Sequence, residues 1–188
     1  MSTEMKVIAL NGSPRAGGNT DLLLGAAIEG TGADVTVFRL NDMNIRPCQN
    51  CGGCDETGIC IIRDDMDAVY DAIRSADRII LASPIYFMAL SAQTKAMMDR
   101  SQAMWCEKYL LGRNPTKEGC KGLLLVVGGM KRTSGVKCCE TSATAFFRSI
   151  GVAEHESLGF VGIDRNGDML KHPTALTDAR QKGRALVT

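Results

Sequence analysis

The amino-acid sequence predicts an α/β domain in which a five-stranded parallel sheet carries helices on both faces. Short apolar segments alternate along the chain with segments whose apolar residues recur at helical spacing. Most of the short segments are apolar throughout, as expected for strands that are covered on both sides. Loops rich in Gly, Ser and Asn join the segments, so the chain is built from successive strand–helix units.

Five segments predict the strands. KVIAL and RIILAS are short and apolar, DVTVFRL alternates and is rich in β-branched residues, and GLLLVVGG ends in glycines. EHESLGFVGI is the fifth. The predicted strands are residues 6–10, 34–40, 78–83, 122–129 and 154–163.

Helices are predicted between and after these strands. They begin at Asn19 or Thr20, among the acidic residues 64–67, at Ala92, near Thr133 or Ser134, and at Thr174. Residues 41–63 and 84–90 are predicted loops, and the helix from Ala92 is predicted to end at Met104. Residues 105–121 have no clear assignment. The residues expected on the buried helix faces are Leu22, Leu23, Ala26, Ala27, Met66, Val69, Tyr70, Ile73, Cys139, Ala143, Phe146, Phe147 and Ile150.

Length and charge restrict the functional classes. The 188 residues suit a single domain, residues 1–188, with a cysteine-rich insertion at about 41–63. The net charge is +1 and no basic stretch stands out, which argues against a nucleic-acid partner. No apolar run approaches the roughly 20 residues of a membrane span, and the N-terminus does not have the pattern of a signal peptide. We therefore expect a cytoplasmic protein that does not bind membranes.

The loop GSPRAGGNT, residues 12–20, joins the first strand to the first helix. In an open parallel sheet, ligands bind at the carboxyl ends of the strands, where a helix N-terminus attracts anions. Ser13, Asn19 and Thr20 supply donors, and Arg15 supplies a guanidinium suited to phosphate. The loop is neither GxGxxG nor the Walker motif GxxxxGK[ST]. A polar turn that only caps the helix is the alternative interpretation.

Two further loops follow the third and fourth strands, at the same edge of the sheet. Residues 84–87, PIYF, offer apolar faces and backbone groups for a flat ring, and Gly128 and Gly129 permit close approach of the backbone. The alternative is that Tyr86 and Phe87 begin the hydrophobic core under the third helix.

Four of the eight cysteines lie within the thirteen residues CQNCGGCDETGIC. Cys48, Cys51, Cys54 and Cys60 are spaced so that their thiolates can surround one compact centre, and Gly52 and Gly53 allow the sharp turns. Four thiolates satisfy a 4Fe-4S cluster, although the last gap is longer than in ferredoxins and no proline follows Cys60. Structural zinc and a redox disulfide pair are the alternatives.

Three segments together resemble the flavodoxin-like NAD(P)H-dependent FMN reductases. They are LNGSPRAGGNT, ASPIYFMALSAQTKAMMDR and VVGGM, which resemble the loops for the phosphate, the underside and the side of the flavin, and the likeness covers residues 5 to about 165. It implies a flavodoxin-like three-layer sandwich with strand order 2-1-3-4-5. It also implies FMN as cofactor. The FMN-binding residues would be Ser13, Arg15, Asn19, Thr20, Pro84, Ile85, Tyr86, Phe87, Gly128, Gly129 and Met130.

The cysteine run, placed after strand two and followed by IIRDDM, resembles that of the iron-sulfur flavoproteins. This resemblance implies an oxidoreductase that passes electrons between NAD(P)H or ferredoxin, FMN and a 4Fe-4S cluster held by Cys48, Cys51, Cys54 and Cys60. It implies a small-molecule or protein acceptor and a homodimer or homotetramer. A reductase of FMN or quinones without a cluster is one alternative, and a zinc-stabilised flavin-binding module without turnover is another.

The remaining reactive side chains have weaker signals. Cys139 falls on an apolar helix face and is expected in the core, while Cys138 is expected to be exposed. Cys106 and Cys120 lie in the unassigned stretch. No catalytic acid or base stands out.

Overall fold

The computed structural model describes residues 5–188 and contains one mixed sheet. Five parallel strands lie in the order β2-β1-β3-β5-β6, and the short strand β4 pairs antiparallel with β3. The strands are β1 Val7–Asn11, β2 Val35–Arg39, β3 Arg78–Tyr86, β4 Ala89–Leu90, β5 Lys121–Gly128 and β6 Glu154–Val161. The five parallel strands confirm the predicted flavodoxin-like topology, and β4 is an addition to it.

Helices cover both faces of the sheet, as predicted. Helices α2 to α5 share one hydrophobic core with the sheet, and α1 and α6 share the other. The helices are α1 Asn19–Thr31, α2 Met66–Ser75, α3 Ala92–Arg100, α4 Gln102–Tyr109, α5 Ser134–Ser149 and α6 Ala175–Val187, with short 3₁₀ turns at Leu40–Asp42 and Asp168–Lys171. No helix within residues 5–188 is long and apolar enough to cross a membrane.

The central strands are buried on both sides, which explains their continuous apolar sequences. In β1, Ile8 and Leu10 pack into the core under α2 to α5, whereas Val7 and Ala9 pack into the core under α1 and α6. The buried helix faces agree with the prediction, except that Leu22 is half-buried and Leu24 takes the buried position on α1.

The predicted loop at residues 84–90 is wrong in part. Strand β3 runs on to Tyr86, turns at Phe87 and Met88, and returns as β4. Phe87 and Met88 both have positive φ angles, 47° and 67°. Hairpin turns of this kind usually contain Gly or Asn, so nothing in the local sequence announces the turn.

The predicted helix 92–104 is also wrong in part, because it is broken at Ser101. The Ser101 hydroxyl donates to the carbonyl of Met97 at 3.2 Å, a local bond that competes with regular helical bonding. A separate helix, α4, then occupies part of the stretch that had no assignment.

Helices α1 and α6 approach each other through glycine. A Cβ on Gly30 would lie 2.1 Å from the backbone oxygen of Arg180, and a Cβ on Gly183 would lie 1.9 Å from that of Ala27. These contacts are far shorter than carbon and oxygen tolerate, so the two helices can pack this closely only with glycine at both positions.

We expect Gly30→Ala to lower the free energy of unfolding by about 1–3 kcal/mol, because the added methyl group forces α6 away from α1. The matched control is Gly25→Ala on the same helix, where a Cβ would meet no atom within 4 Å. That change should raise stability by about 0.5–1 kcal/mol, the usual difference between Gly and Ala in a helix. Urea unfolding of the flavin-free proteins measures both. Equal effects of the two substitutions would contradict the close packing of α1 on α6.

Candidate functional site

Three loops meet at one edge of the sheet, where β1, β3 and β5 end. The parallel register pairs Asn11 with Ala82 and Pro84 with Val127, so the three carboxyl ends lie side by side. Gly12 N–H donates to the carbonyl of Ala82 at 2.8 Å and joins the first loop to β3. This edge is where open parallel sheets bind ligands.

The first loop is organised from within by Asp21, in the first turn of α1. One carboxylate oxygen accepts from the Asn11 side-chain amide at 2.8 Å, and the other accepts from Gly17 N–H at 2.8 Å. Arg39 of β2 donates to the second oxygen at 2.9 Å and balances its charge. The loop therefore has a fixed shape, and the negative charge near the helix N-terminus is neutralised.

The predicted phosphate residues have different environments in this loop. Ser13 is buried and exchanges hydrogen bonds with the backbone of Arg15, whereas Arg15 itself is exposed. Asn19 donates to the carbonyl of Arg165 at 2.8 Å and accepts from Met169 N–H at 3.2 Å. Asn19 thus ties the start of α1 to the segment after β6 and keeps one amide N–H for another acceptor.

A cleft of about 490 Å³ opens between the β3–β4 hairpin and the segment after β5. This volume lies within the roughly 300–1,000 Å³ of ordinary small-molecule sites. The structure brings all the predicted ring contacts together here except Pro84, which is buried inside β3. The lining residues are Ile85, Tyr86, Phe87, Met88, Gly128, Gly129, Met130, Arg132, Gly135, Val161 and Asp164.

One wall of this cleft is glycine backbone packed against the side chain of Asp164. A Cβ on Gly129 would lie 2.5 Å from Oδ1 of Asp164, because this segment is tied to the chain after β6. The bonds are Gly162 N–H to the Met130 carbonyl at 3.2 Å and Ile163 N–H to the Gly128 carbonyl at 3.0 Å. The wall is therefore a piece of backbone that a flat ligand can approach closely.

The opposite wall is aromatic and open to solvent. Phe87 is completely exposed and Tyr86 is 42% exposed, so neither begins the hydrophobic core. This excludes the interpretation of these two residues as core. An apolar wall facing a backbone wall across a cleft suits a planar ring system.

The cysteine loop is fastened at both ends by one buried arginine, Arg100 of α3. Its guanidinium donates to the carbonyl of Arg46 at 2.9 Å, to the carbonyl of Ile62 at 3.1 Å and to Oδ2 of Asp64 at 2.7 Å. The side chains of Arg100 and Asp64 are 0% and 2% exposed. Because these partners flank Cys48 and Cys60, the ends of the loop are held against the end of α3.

The bonds of Arg100 and its neighbours stabilise the charged form of the Asp64 carboxyl. Burial alone would raise the pKa of the Asp64 carboxyl, but the bonds from Arg100 and from the N–H groups of Arg46 and Met66 outweigh burial and lower it below its usual value. Nε of Arg100 is buried and has no hydrogen-bond partner. The Nε–H of Arg100 is thus free to donate a hydrogen bond beside the cysteine loop.

The predicted cluster ligands differ in exposure. Cys51 is exposed, whereas Cys48, Cys54 and Cys60 are partly buried. Burial raises the pKa of the Cys54 thiol to about 12, and Cys106, whose Sγ lies 3.6 Å from that of Cys54, adds to the rise. All four predicted ligands are thiols on one loop that is held at both ends, and the free N–H of the Arg100 guanidinium lies beside this loop. Four thiolates next to a positively charged hydrogen-bond donor fit a 4Fe-4S cluster.

Comparison with known proteins decides the family. The sequence model described as NADPH-dependent FMN reductase matches residues 5–152. The chain belongs to this family. The match contains every residue predicted above for FMN and for the cluster.

Named relatives and solved structures agree with this assignment. The chain is 39% identical to an iron-sulfur flavoprotein of Methanosarcina thermophila over 68% of its own length and 65% of the relative's. It is 44% identical to an iron-sulfur flavoprotein of Methanocaldococcus jannaschii over 53% of each chain. The chain thus spans about half to two thirds of these relatives. An NAD(P)H:quinone oxidoreductase from Methanothermobacter marburgensis has the same fold, with a TM-score of 0.74 at 20% identity over 99% and 98% of the two chains.

Several residues of this FMN reductase family member were not predicted from the sequence. Asp21 shapes the first loop, Arg100 clamps the cysteine loop, and Cys106 lies beside Cys54. An acid in the first helical turn is a general signal that favours a helix start, so Asp21 was visible but not specific. No sequence signal identifies Arg100 or Cys106, because their partners lie far away along the chain.

The clamp predicts a pH dependence of stability. Since the pKa of Asp64 is lowered in the folded state, its contribution is complete above the unfolded pKa of about 3.9 and is lost as pH falls through the folded pKa. At neutral pH, Asp64→Asn should lower the free energy of unfolding by about 3–5 kcal/mol, because the Arg100 charge stays buried without a counter-ion. This deficit should shrink below about pH 4, because the Asp64 carboxyl is then protonated in the unfolded wild type while its lowered pKa keeps it charged in the folded protein.

Urea unfolding of the flavin-free proteins between about pH 7 and 3 measures this difference. The matched control is Asp71→Asn, which removes an exposed carboxylate from α2. It should change stability little at any pH in this range. A deficit for Asp64→Asn that stays constant down to pH 3 would contradict the assignment.

Proposed function

We propose that the protein is an FMN-dependent oxidoreductase that passes electrons between NAD(P)H or a ferredoxin, FMN and a 4Fe-4S cluster. The observation that carries the proposal is the cleft between the hairpin and Gly128–Met130, at the same sheet edge as the loop 12–20. Membership of the NADPH-dependent FMN reductase family supports it.

Phosphate binding is assigned to the start of α1. The exposed guanidinium of Arg15, the side chain of Thr20 and the free N–H of Asn19 provide donors for the FMN phosphate. Ser13, whose hydroxyl donates to the Arg15 carbonyl at 3.1 Å, shapes the loop that carries these donors. The N-terminus of α1 adds the favourable end of the helix dipole. Because Asp21 is already paired with Arg39, its charge is balanced within the protein and repels the phosphate less.

Ring binding is assigned to the cleft. Ile85, Tyr86 and Phe87 provide the apolar wall, and Gly128, Gly129 and Met130 provide the backbone wall. The buried Pro84 shapes the end of β3 that carries the hairpin. Bound FMN would supply the redox chemistry, since its ring accepts a hydride or two single electrons. Arg132 lines the same cleft, and its positive charge favours electron uptake by a ring bound there.

The cluster is assigned to Cys48, Cys51, Cys54 and Cys60. A cluster on these thiolates would supply one-electron transfer. Electrons could then pass between a two-electron carrier and a one-electron carrier. The Arg100 clamp holds the loop in place, which keeps the distance to the flavin constant. The relatives named iron-sulfur flavoproteins, at 39% and 44% identity, support this part of the proposal.

A reductase without a cluster is the second candidate, and a zinc-stabilised flavin-binding module is the third. The cleft alone supports the second candidate, because it does not involve the cysteine loop. We also propose a single domain over the whole chain, a cytoplasmic location, a homodimer or homotetramer, and a small-molecule or protein acceptor. The single domain rests on the chain length, and the oligomeric state and the acceptor rest on the family resemblance.

Arg15→Ala should weaken FMN binding by roughly 10- to 100-fold, because a charged hydrogen bond to the phosphate is lost. Titration of the flavin-free protein, followed by flavin fluorescence, measures the dissociation constant. The affinity for riboflavin, which has no phosphate, should not change. Arg184→Ala removes an equal charge from an exposed site on α6 and is the matched control. Unchanged FMN affinity in Arg15→Ala would remove this residue from the site.

Anaerobic purification tests the whole proposal. We expect bound FMN together with iron and sulfide in the ratio of a 4Fe-4S cluster, and reduction of the flavin by NAD(P)H or by a reduced ferredoxin. Cys51→Ser should lose iron and sulfide and retain FMN. Cys138→Ser, which changes another exposed thiol, should retain both.

The alternatives give different results in the same experiment. FMN with NAD(P)H oxidation and no iron identifies the reductase without a cluster. FMN with stoichiometric zinc and no turnover identifies the flavin-binding module. A protein that takes up no FMN contradicts all three.

A further inference from the structure

Cys106 lies outside the cysteine motif, yet it forms a compact group with Cys54 and Asp55. The two sulfur atoms are 3.6 Å apart, and the Cys106 thiol donates to Oδ1 of Asp55 at 3.3 Å. The three ligand atoms all lie within 4.8 Å of one another. Cys106 is buried on α4, and Asp55 is exposed on the loop.

The two distances from the Cys106 sulfur match the edges of a tetrahedron around a single ion. With metal–sulfur bonds of about 2.3 Å and metal–oxygen bonds of about 2.0–2.2 Å, two sulfurs lie about 3.8 Å apart and a sulfur and an oxygen about 3.5 Å apart. The observed separations are 3.6 and 3.3 Å. The ligands of a 4Fe-4S cluster bind four different irons and stand farther apart, so this group suits one ion and not a cluster.

We propose that Cys54, Asp55 and Cys106 bind a single thiophilic divalent cation of the Zn²⁺ or Fe²⁺ class. Two thiolates and one carboxylate bind the ion, and water from the exposed side of Asp55 completes the tetrahedron. Binding releases the two thiol protons to solvent, and no electron is transferred. The cation and its three protein ligands together carry a charge of −1.

The surroundings of the site hold its ligands in place. Cys106 is fixed on a helix, and the Gln102 amide, one turn earlier, donates to its sulfur at 3.6 Å. Cys54 and Asp55 lie in a tight turn closed by Asp55 N–H to the Gly52 carbonyl at 3.1 Å. An outer hydrogen bond to a ligand and a rigid helix are the usual supports of a protein metal site.

The single-ion site shares Cys54 with the proposed cluster, so the two cannot be occupied together. The single ion therefore belongs to the cluster-free protein, in which it would fasten the cysteine loop to α4. Only this competition rests on the proposed function. The ligand set itself follows from the distances among three side chains.

Cobalt titration of the cluster-free protein, kept reduced and anaerobic, tests the site. Co²⁺ in a tetrahedral site with thiolates gives charge-transfer and visible d–d bands, which Zn²⁺ should then bleach by displacement. We expect one Co²⁺ per chain. Cys106→Ser and Asp55→Asn should each weaken binding by more than the roughly 10- to 100-fold that loss of an outer-shell partner costs.

Cys60→Ser is the matched control, because Cys60 belongs to the predicted cluster ligands but not to the three-residue group. It should bind Co²⁺ as the wild type does and fail to assemble the cluster, whereas Cys106→Ser should assemble it. Asp55→Asn changes an exposed side chain, so its effect is not a folding defect.

Loss of Co²⁺ binding in Cys60→Ser with retention in Cys106→Ser overturns the inference, as does wild-type protein that binds no Co²⁺. A wild type that assembles no cluster but binds Co²⁺ contradicts the proposed function and leaves this site standing.

Discussion

The parallel hydrogen bonding of β1, β3 and β5 is the constraint on which the site depends. It places Asn11 beside Ala82 and Pro84 beside Val127, so three loops that are distant in sequence begin on three successive strands, each one strand spacing from the next. Their shapes are then refined by short-range bonds, from Asp21 in the first loop and from the chain after β6 in the third. The cleft is thus a product of strand register and local polar bonding together.

The cysteine loop has a different kind of support. It leaves the sheet edge after β2 and returns before α2, and Met43, Ile45 and Ile62 attach it to the hydrophobic core. A buried cation adds polar bonds to this packing, since Arg100 binds backbone at both ends of the loop and pairs with Asp64. Isolated buried charges are costly, but a guanidinium that meets a carboxylate and two carbonyls has most of its donors satisfied. The position of the thiols therefore depends on the charge balance of a few buried groups as well as on the packing of Cys54 and Cys60 against the core.

Local patterns were enough to predict the five parallel strands and most helix faces, whereas the residues of the two cleft walls were assigned by resemblance to the family. The apolar runs in β1, β3 and β5 and the spacing of Met66, Val69 and Ile73 are recorded directly in the sequence, because each depends only on neighbours along the chain. The turn at Phe87 and Met88 was not predictable, since its backbone angles are imposed by the pairing of β3 with β4. The burial of Arg100 depends on a partner 36 residues away, and the meeting of Cys54 with Cys106 spans 52 residues. Contacts of this range leave no periodic trace in a single sequence.

The close contact of α1 with α6 links the C-terminal part of the chain to the part that carries the binding residues. Residues 153–188 lie beyond the stretch that the family model matches, and they include none of the residues assigned to either cofactor. Yet they supply β6, the backbone groups that Asn19 binds, the bonds that hold Gly128 and Met130, and the helix on which α1 rests. The C-terminal fifth of the chain therefore supports the loops at the carboxyl ends of the strands. Apart from Val161 and Asp164, which line the cleft, sequence changes there can alter cofactor affinity without touching the cofactor.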